Sequence, residues 1–288
     1  MNIEEQLKVR SGQIGAVFDR LLDGFHPSVV SDAMRYAAKG GKGLRGFLVM
    51  ESAALFDVPD TKSIFAAAAI EALHAYSLVH DDLPCMDDDD LRRGEPTVHV
   101  RWDEATAGLT GDALQALAFE LITQGDLPPE VKLELAYDLA VRAGGRGMVR
   151  GQALDIAAET STSPRTMEQI AELQALKTGY LIQWSATAGP FMAGQDPTAL
   201  NVYAEALGLA FQIADDLLDV TATELEAGKR TGKDADAGKA TFVTLLGEDG
   251  ARSRARELCD QAIAALEPYG AKADLLRDAA RFVIERRS

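Results

Sequence analysis

Six carboxylates lie between Asp81 and Asp90, and a second group, Asp215-Asp216-Leu217-Leu218-Asp219, occurs later in the chain. Each group directly follows a long apolar run. Like charges at side-chain distance repel one another, and apolar surroundings strengthen the repulsion, so such a cluster persists in a fold only when exposed or neutralised. A single acidic run reads as a solvated turn, whereas two runs, each behind an apolar helix, read as cation sites. The donors are carboxylates without clustered cysteine or histidine, which favours Mg2+ or Mn2+ over zinc. A calcium loop fails by position: counted from Asp87, the sixth residue is Arg92, where such a loop requires glycine. Magnesium takes one or two carboxylates and completes its shell with water and phosphate oxygens, so two facing clusters would grip a diphosphate.

The basic residues occur in small groups that suit such a ligand. Gly40-Gly41-Lys42-Gly43-Leu44-Arg45 opens a helix, where backbone N–H groups and the helix dipole favour an anion. Arg92 and Arg93 follow the first acidic run, Lys177-Thr178-Gly179 lies within a long helical pattern, and Lys229, Arg230, Lys233 and Lys239 follow the second run. Each group alone reads as a surface ion pair, while together they suggest a cavity for two polyphosphates. The 288 residues carry a formal charge of −16, which argues against a nucleic-acid binder. The N-terminus lacks a basic-then-apolar secretory pattern, and charged residues interrupt each apolar run, so no bilayer span is expected. Two cysteines, Cys85 and Cys259, make no disulfide framework and suit a reducing cytoplasm.

Apolar residues recur at helical spacing nearly throughout, without a convincing alternating stretch, so the chain reads as all-α. Helices are expected near 3–23, 28–39, 44–56, 61–83, 98–107, 109–124, 129–143, 145–159, 166–193, 197–224, 238–246, 248–267 and 271–286. No low-complexity linker divides them, and one domain over 1–288 is expected. The segments Phe65–His80 and Ala206–Ala214 are apolar around most of their circumference and belong inside a bundle. Asp215 and Asp219, four apart, project from one face. Asp81 and Asp87, six apart, would splay on a straight helix, but Pro84 between them predicts a kink or an end that folds Asp87 back.

These residues resemble the trans-isoprenyl diphosphate synthases, the polyprenyl synthetase family, and within it the bacterial members that make farnesyl diphosphate. The likeness covers essentially the whole chain. It rests on Gly40 to Arg45, on His74 to Gly94 with its Asp81-Asp82 and Asp87, on Gly111-Asp112, Gly151-Gln152 with Asp155, Lys177-Thr178-Gly179, Phe211-Gln212 with Asp215-Asp216 and Asp219, and on Gly228-Lys229 through Lys239.

The resemblance implies a single-domain isoprenoid synthase helical bundle with a central cavity between two aspartate-rich helices. It implies a prenyltransferase that condenses isopentenyl diphosphate head-to-tail with an allylic diphosphate, dimethylallyl or geranyl. Asp81, Asp82, Asp87, Asp215, Asp216 and Asp219 would hold three Mg2+ (or Mn2+) on the allylic diphosphate. Arg92, Lys177, Thr178, Gln212, Lys229 and Lys239 would be its further contacts, and Asp81, Asp87, Lys177 and Asp215 the catalytic set. Lys42, Arg45, His74 and Arg93 would bind isopentenyl diphosphate. A homodimer in the cytoplasm is implied as well.

Product length turns on the helix before Asp81. Tyr76 and Ser77 lie roughly 6 to 7.5 Å below it at about 1.5 Å rise per residue. In the family an aromatic ring five residues before the first aspartate resembles the farnesyl-producing pattern, which predicts a C15 product with C20 as the alternative. A non-catalytic partner subunit would lack part of these motifs, and a terpene cyclase would carry a different metal motif in place of Asp215-Asp216 and Asp219. The chain departs from the family at Gly43, where arginine is usual, at Gly46, where proline is usual, and at Phe242, where tyrosine is usual. The two glycines predict a missing cation and a looser helix start. His80 reads as structural, and Cys85, beside carboxylates that raise a thiol's pKa, as unreactive.

Overall fold

The computed structural model describes residues 2–159, 165–221 and 241–285, which separate into two compact units, Met1–Ala136 and Tyr137–Ser288. Among these residues the fold is helical, as expected, apart from one short hairpin.

The first unit contains α1 (Ile3–Asp23), α2 (Val29–Ala38), α3 (Leu44–Leu55), α4 (Asp60–Asp81), β1 (Leu91–Arg92), β2 (Glu95–Pro96), α5 (Val98–Arg101) and α6 (Glu104–Gln124). Asn2 starts α1 through a capping box with Glu5. The middle of α4 is a run of buried small residues, Ala66 to Ala69, that lets α1, α3 and α6 approach its backbone. Arg10 on α1 reaches two further elements. Its Nε donates to Glu51 Oε1 of α3 at 2.8 Å, and its Nη1 pairs with Asp60 at the start of α4.

On length and hydropathy α4 passes the test for a membrane span, contrary to the expectation that charges interrupt every candidate. Within the protein, 61% of that window is buried. The apolar surface is thus matched by other helices, which is what a central core helix requires.

Three boundaries differ from the periodicity. The break expected near residue 108 falls instead at Trp102-Asp103, because the Asp103 side chain accepts the Thr106 N–H at 2.7 Å and caps α6. Between Asp81 and Val98, Leu91 pairs with Pro96 and Arg92 with Glu95 around a turn at Arg93-Gly94. Both turn residues have positive φ, 56° and 78°, the conformation of a tight hairpin.

The second unit contains the end of α7 (Pro129–Ala143), then α8 (Met148–Glu159), α9 (Met167–Gln174), a π-helical turn (Ala175–Gly179), α10 (Tyr180–Ala193), α11 (Thr198–Thr221), α12 (Phe242–Ala265), a 3-10 segment (Glu267–Ala273) and α13 (Asp274–Glu285). The helix expected over 166–193 is therefore interrupted by the third difference, the wide turn that carries Lys177 and Thr178. The break expected at residue 247 is present as a kink at Gly247, with φ 71°. In this unit α11 packs along α12, and buried Tyr203 donates its hydroxyl to the Leu276 carbonyl of α13 at 2.9 Å.

Candidate active site

At the end of α4 the chain turns back on itself. The Asp87 N–H donates to the Asp81 carbonyl at 2.8 Å and the Asp89 N–H to the Asp82 carbonyl at 3.2 Å. This return brings Asp87 beside Asp81, the arrangement that Pro84 predicts. Asp81 is half-buried and Asp87 exposed.

Asp82 behaves differently from its neighbour. It is buried, and its Oδ1 accepts Arg92 Nε at 2.9 Å and Arg92 Nη2 as well. Burial pushes its carboxyl pKa up, and Arg92 opposes that shift. The oxygen expected on a metal thus anchors the hairpin that carries Arg92 and Arg93. Arg93 runs back towards the glycine loop and donates to the Lys39 carbonyl at 3.0 Å.

Three of the expected cationic contacts, Arg45, Arg92 and Arg93, gather around His74 in this unit. Burial first, then Arg45, Arg93 and Arg92, hold the His74 imidazole well below its usual pKa. It is neutral at pH 7 and can give a hydrogen bond among three guanidinium groups. Lys42 is exposed in the loop beside them. Such a concentration of positive charge with a neutral donor suits a polyanion.

The loose helix start predicted from Gly43 and Gly46 is absent. Gly43 adopts φ 62°, and a Cβ there would lie 3.1 Å from the Ser11 Cβ of α1. At Gly46 a Cβ would overlap Ile14, and the N–H donates to Glu71 Oε1 of α4 at 2.7 Å. Small residues here allow α1 to press against α3, so the N-terminal turn is held from outside.

Tyr76 is buried and stands edge-on to His80, ring centroids 5.1 Å apart, with Gln115 of α6 as hydrogen-bond partner. Ser77 donates its hydroxyl to the His74 carbonyl at 2.9 Å. His80 Nε2 bonds with the Gly108 carbonyl at 3.0 Å, joining α4 to α6, so it has the structural place read from the sequence.

In the second unit Lys177 Nζ meets Asp155 Oδ2 of α8 at 2.7 Å. Gly151 makes that approach possible, since a Cβ on it would overlap the Lys177 backbone. Thr178 Oγ1 donates to Gln212 Oε1 at 3.3 Å, and Gln212 Nε2 to Asp216 Oδ1 at 3.2 Å. Asp216 is buried, and its other oxygen accepts the Phe242 N–H at 2.9 Å. Like Asp82, it therefore fastens two segments together, while Asp215 and Asp219 remain half-buried. Phe242, in place of tyrosine, is buried at the start of α12 and contributes its backbone to this link. Lys229 and Lys239 lie outside the described residues.

Two residues beside Lys177 had no assigned role in the sequence reading, although both stand in a quoted motif. Asp155 is the ion-pair partner of Lys177, and Gln152, one turn before it, has a buried Nε2 without a hydrogen-bond partner. The three-residue spacing of Gln152 and Asp155 on one helix face was the available signal. Among the described residues no three carboxylate, histidine or cysteine side chains converge on one point. The pairs Asp81 with Asp87 and Asp215 with Asp219 still offer the one or two hard-oxygen ligands per ion that magnesium needs alongside phosphate.

Residues 27–276 match the polyprenyl synthetase family. The farnesyl diphosphate synthase of Haemophilus influenzae is 40% identical over 298 residues, covering 100% of this chain and 99% of that protein. Among solved structures, an FPP/GFPP synthase from Zymomonas mobilis has a TM-score of 0.90 and 46% identity, covering 98% of both chains. A Helicobacter pylori geranyltransferase, solved with magnesium and isoprenyl diphosphate, has a TM-score of 0.81 and 34% identity over 97% of this chain and 96% of its own. With the family's aspartate and basic motifs in place and the match spanning nearly the entire sequence, the chain belongs to the polyprenyl synthetase family.

Proposed function

We propose that this prenyltransferase is a magnesium-dependent farnesyl diphosphate synthase that adds isopentenyl diphosphate to dimethylallyl and geranyl diphosphates. The observation that carries the reading is the separation of two kinds of site. Arg45, His74 and Arg93 build an anion site with positive charge and a neutral donor. Asp81 with Asp87, and Asp215 with Asp219, offer carboxylates suited to a cation-bridged diphosphate.

In this reading the chain is one polyprenyl synthetase domain over 1–288. Asp81, Asp87 and Asp215 would hold Mg2+, three ions per site, and the bound ions would supply Lewis-acid withdrawal of charge from the leaving allylic diphosphate. Lys177 and Thr178, presented on the wide turn, with Arg92, Gln212, Lys229 and Lys239, bind the same diphosphate and stabilise the negative charge that develops as its C–O bond breaks. Arg45, Lys42, His74 and Arg93 fix the second diphosphate so that the isopentenyl double bond faces the allylic cation. The new C–C bond forms there, and the proton lost from the adduct passes to the departed pyrophosphate, so no protein nucleophile is needed. Asp82 and Asp216 act as anchors in place of ligands. We further assign a cytoplasmic homodimer.

Incubating the purified protein with isopentenyl and dimethylallyl diphosphates, with Mg2+ or with a chelator, tests the reading. A C15 diphosphate, identified as the alcohol after phosphatase treatment and formed only when Mg2+ is present, is the expected result. A dominant C20 alcohol would replace the product assignment, and failure of the folded protein to consume isopentenyl diphosphate would favour a non-catalytic subunit. Tyr76→Ala opens the level roughly 7.5 Å below Asp81 on the helix rise and shifts the main product to C20 or longer. An unchanged product profile would remove Tyr76 from the role of floor.

A further inference from the structure

We infer that Glu71, which no motif singles out, is the positioning residue of the isopentenyl diphosphate site. α3 begins at Gly43, a left-handed residue whose position lacks a side-chain cap, so the first-turn N–H groups need partners from elsewhere. Glu71 supplies one from the neighbouring helix, accepting the Gly46 N–H at 2.7 Å. A carboxylate at that end also opposes the positive pole of the α3 dipole.

The same side chain lies close in the fold to the other two carriers of the site. On α4 it sits one turn before His74, on the same face. It also attracts Arg93, opposing the downward shift that burial imposes on the guanidinium pKa. One carboxylate therefore ties together the segments that present Arg45, His74 and Arg93. Its bond to the Gly46 N–H fixes the start of α3, and with it Arg45, beside the helix that carries His74, ready for the incoming diphosphate. The link belongs to this chain, because the proline usual in the family at position 46 has no N–H to donate.

The inference rests on Lys42, Arg45, His74 and Arg93 taking isopentenyl diphosphate, and steady-state kinetics separates the two claims. Glu71→Ala raises KM for isopentenyl diphosphate about tenfold, with KM for geranyl diphosphate and kcat changed less than about twofold. Glu71→Gln, whose Oε1 still accepts from Gly46, stays within about threefold of the parent KM. Equal rises in both KM values after Glu71→Ala, or a Glu71→Gln enzyme as impaired as Glu71→Ala, would overturn it. If Glu71→Ala does not fold, Glu71→Asp, which keeps the charge and loses reach, takes its place. Glu71→Asp then raises the isopentenyl KM while Glu71→Gln does not, and the reverse order overturns the inference. Arg45→Gln is the control: an unchanged isopentenyl KM in that variant removes the site reading itself, and the inference with it.

Discussion

Asp81→Ala lowers turnover of isopentenyl diphosphate by at least about a thousandfold, equivalent to roughly 4 kcal/mol of transition-state stabilisation. The fold is untouched by this change. The turn that returns Asp87 is held by the Asp81 backbone carbonyl, which alanine keeps, and the side chain is half-buried at a helix end. Removing one carboxylate from a crowded acidic run also relieves repulsion, so Tm stays level or rises slightly. Rate assays with geranyl diphosphate and saturating Mg2+, beside a thermal melt, check both parts. Near-parental turnover would sink the assignment of Asp81. Asp82→Ala gives a contrasting pattern. It frees Arg92 from its anchor, so Tm falls together with activity.

Arg10→Ala destabilises the protein by about 3 to 5 kcal/mol, the usual consequence of leaving a buried carboxylate without its partner. Glu51 is only 7% exposed and accepts two Arg10 nitrogens at 2.8 Å, while Asp60, at 46%, remains open to water. At roughly 2 °C per kcal/mol for a chain of this size, Tm falls by about 6 to 10 °C. Combining Arg10→Met with Glu51→Leu restores most of the loss, because an apolar pair of similar volume replaces a desolvated ion pair with little penalty. Thermal melts of the two variants beside the parent decide the matter. A loss below about 1 kcal/mol for Arg10→Ala would show that water reaches Glu51 and that the link between α1, α3 and α4 is dispensable.

Much of the site was legible because its signals are local. Helical periodicity, the apolar runs before each acidic group and the turn at Pro84 act over one or two helical turns, and the structure reproduces them in α4 and α11. The basic groups at Arg45, Arg92 and Arg93 were equally visible as charges near glycine. The type of each neighbour, however, does not say which way it faces. As metal ligands, the family resemblance offered Asp81 and Asp82 alike, and likewise Asp215 and Asp216.

What divides these pairs is long-range. A residue's direction around a helix changes by about 100° per step, so of two adjacent carboxylates only one can face a given side. The one turned inward needs a donor from another segment, because a buried charge without a partner is costly. Arg92 in a hairpin that periodicity did not reveal supplies it for Asp82, and the Phe242 backbone supplies it for Asp216. The same holds at the helix start that Gly43 and Gly46 made look weak, since the stabilising acceptor is Glu71, 25 residues further along. By itself the sequence determined the helices, the chemistry of the ligands and the family. Only the tertiary structure decided which of these carboxylates are buried against a donor and which stay partly open, because that choice depends on partners far along the chain.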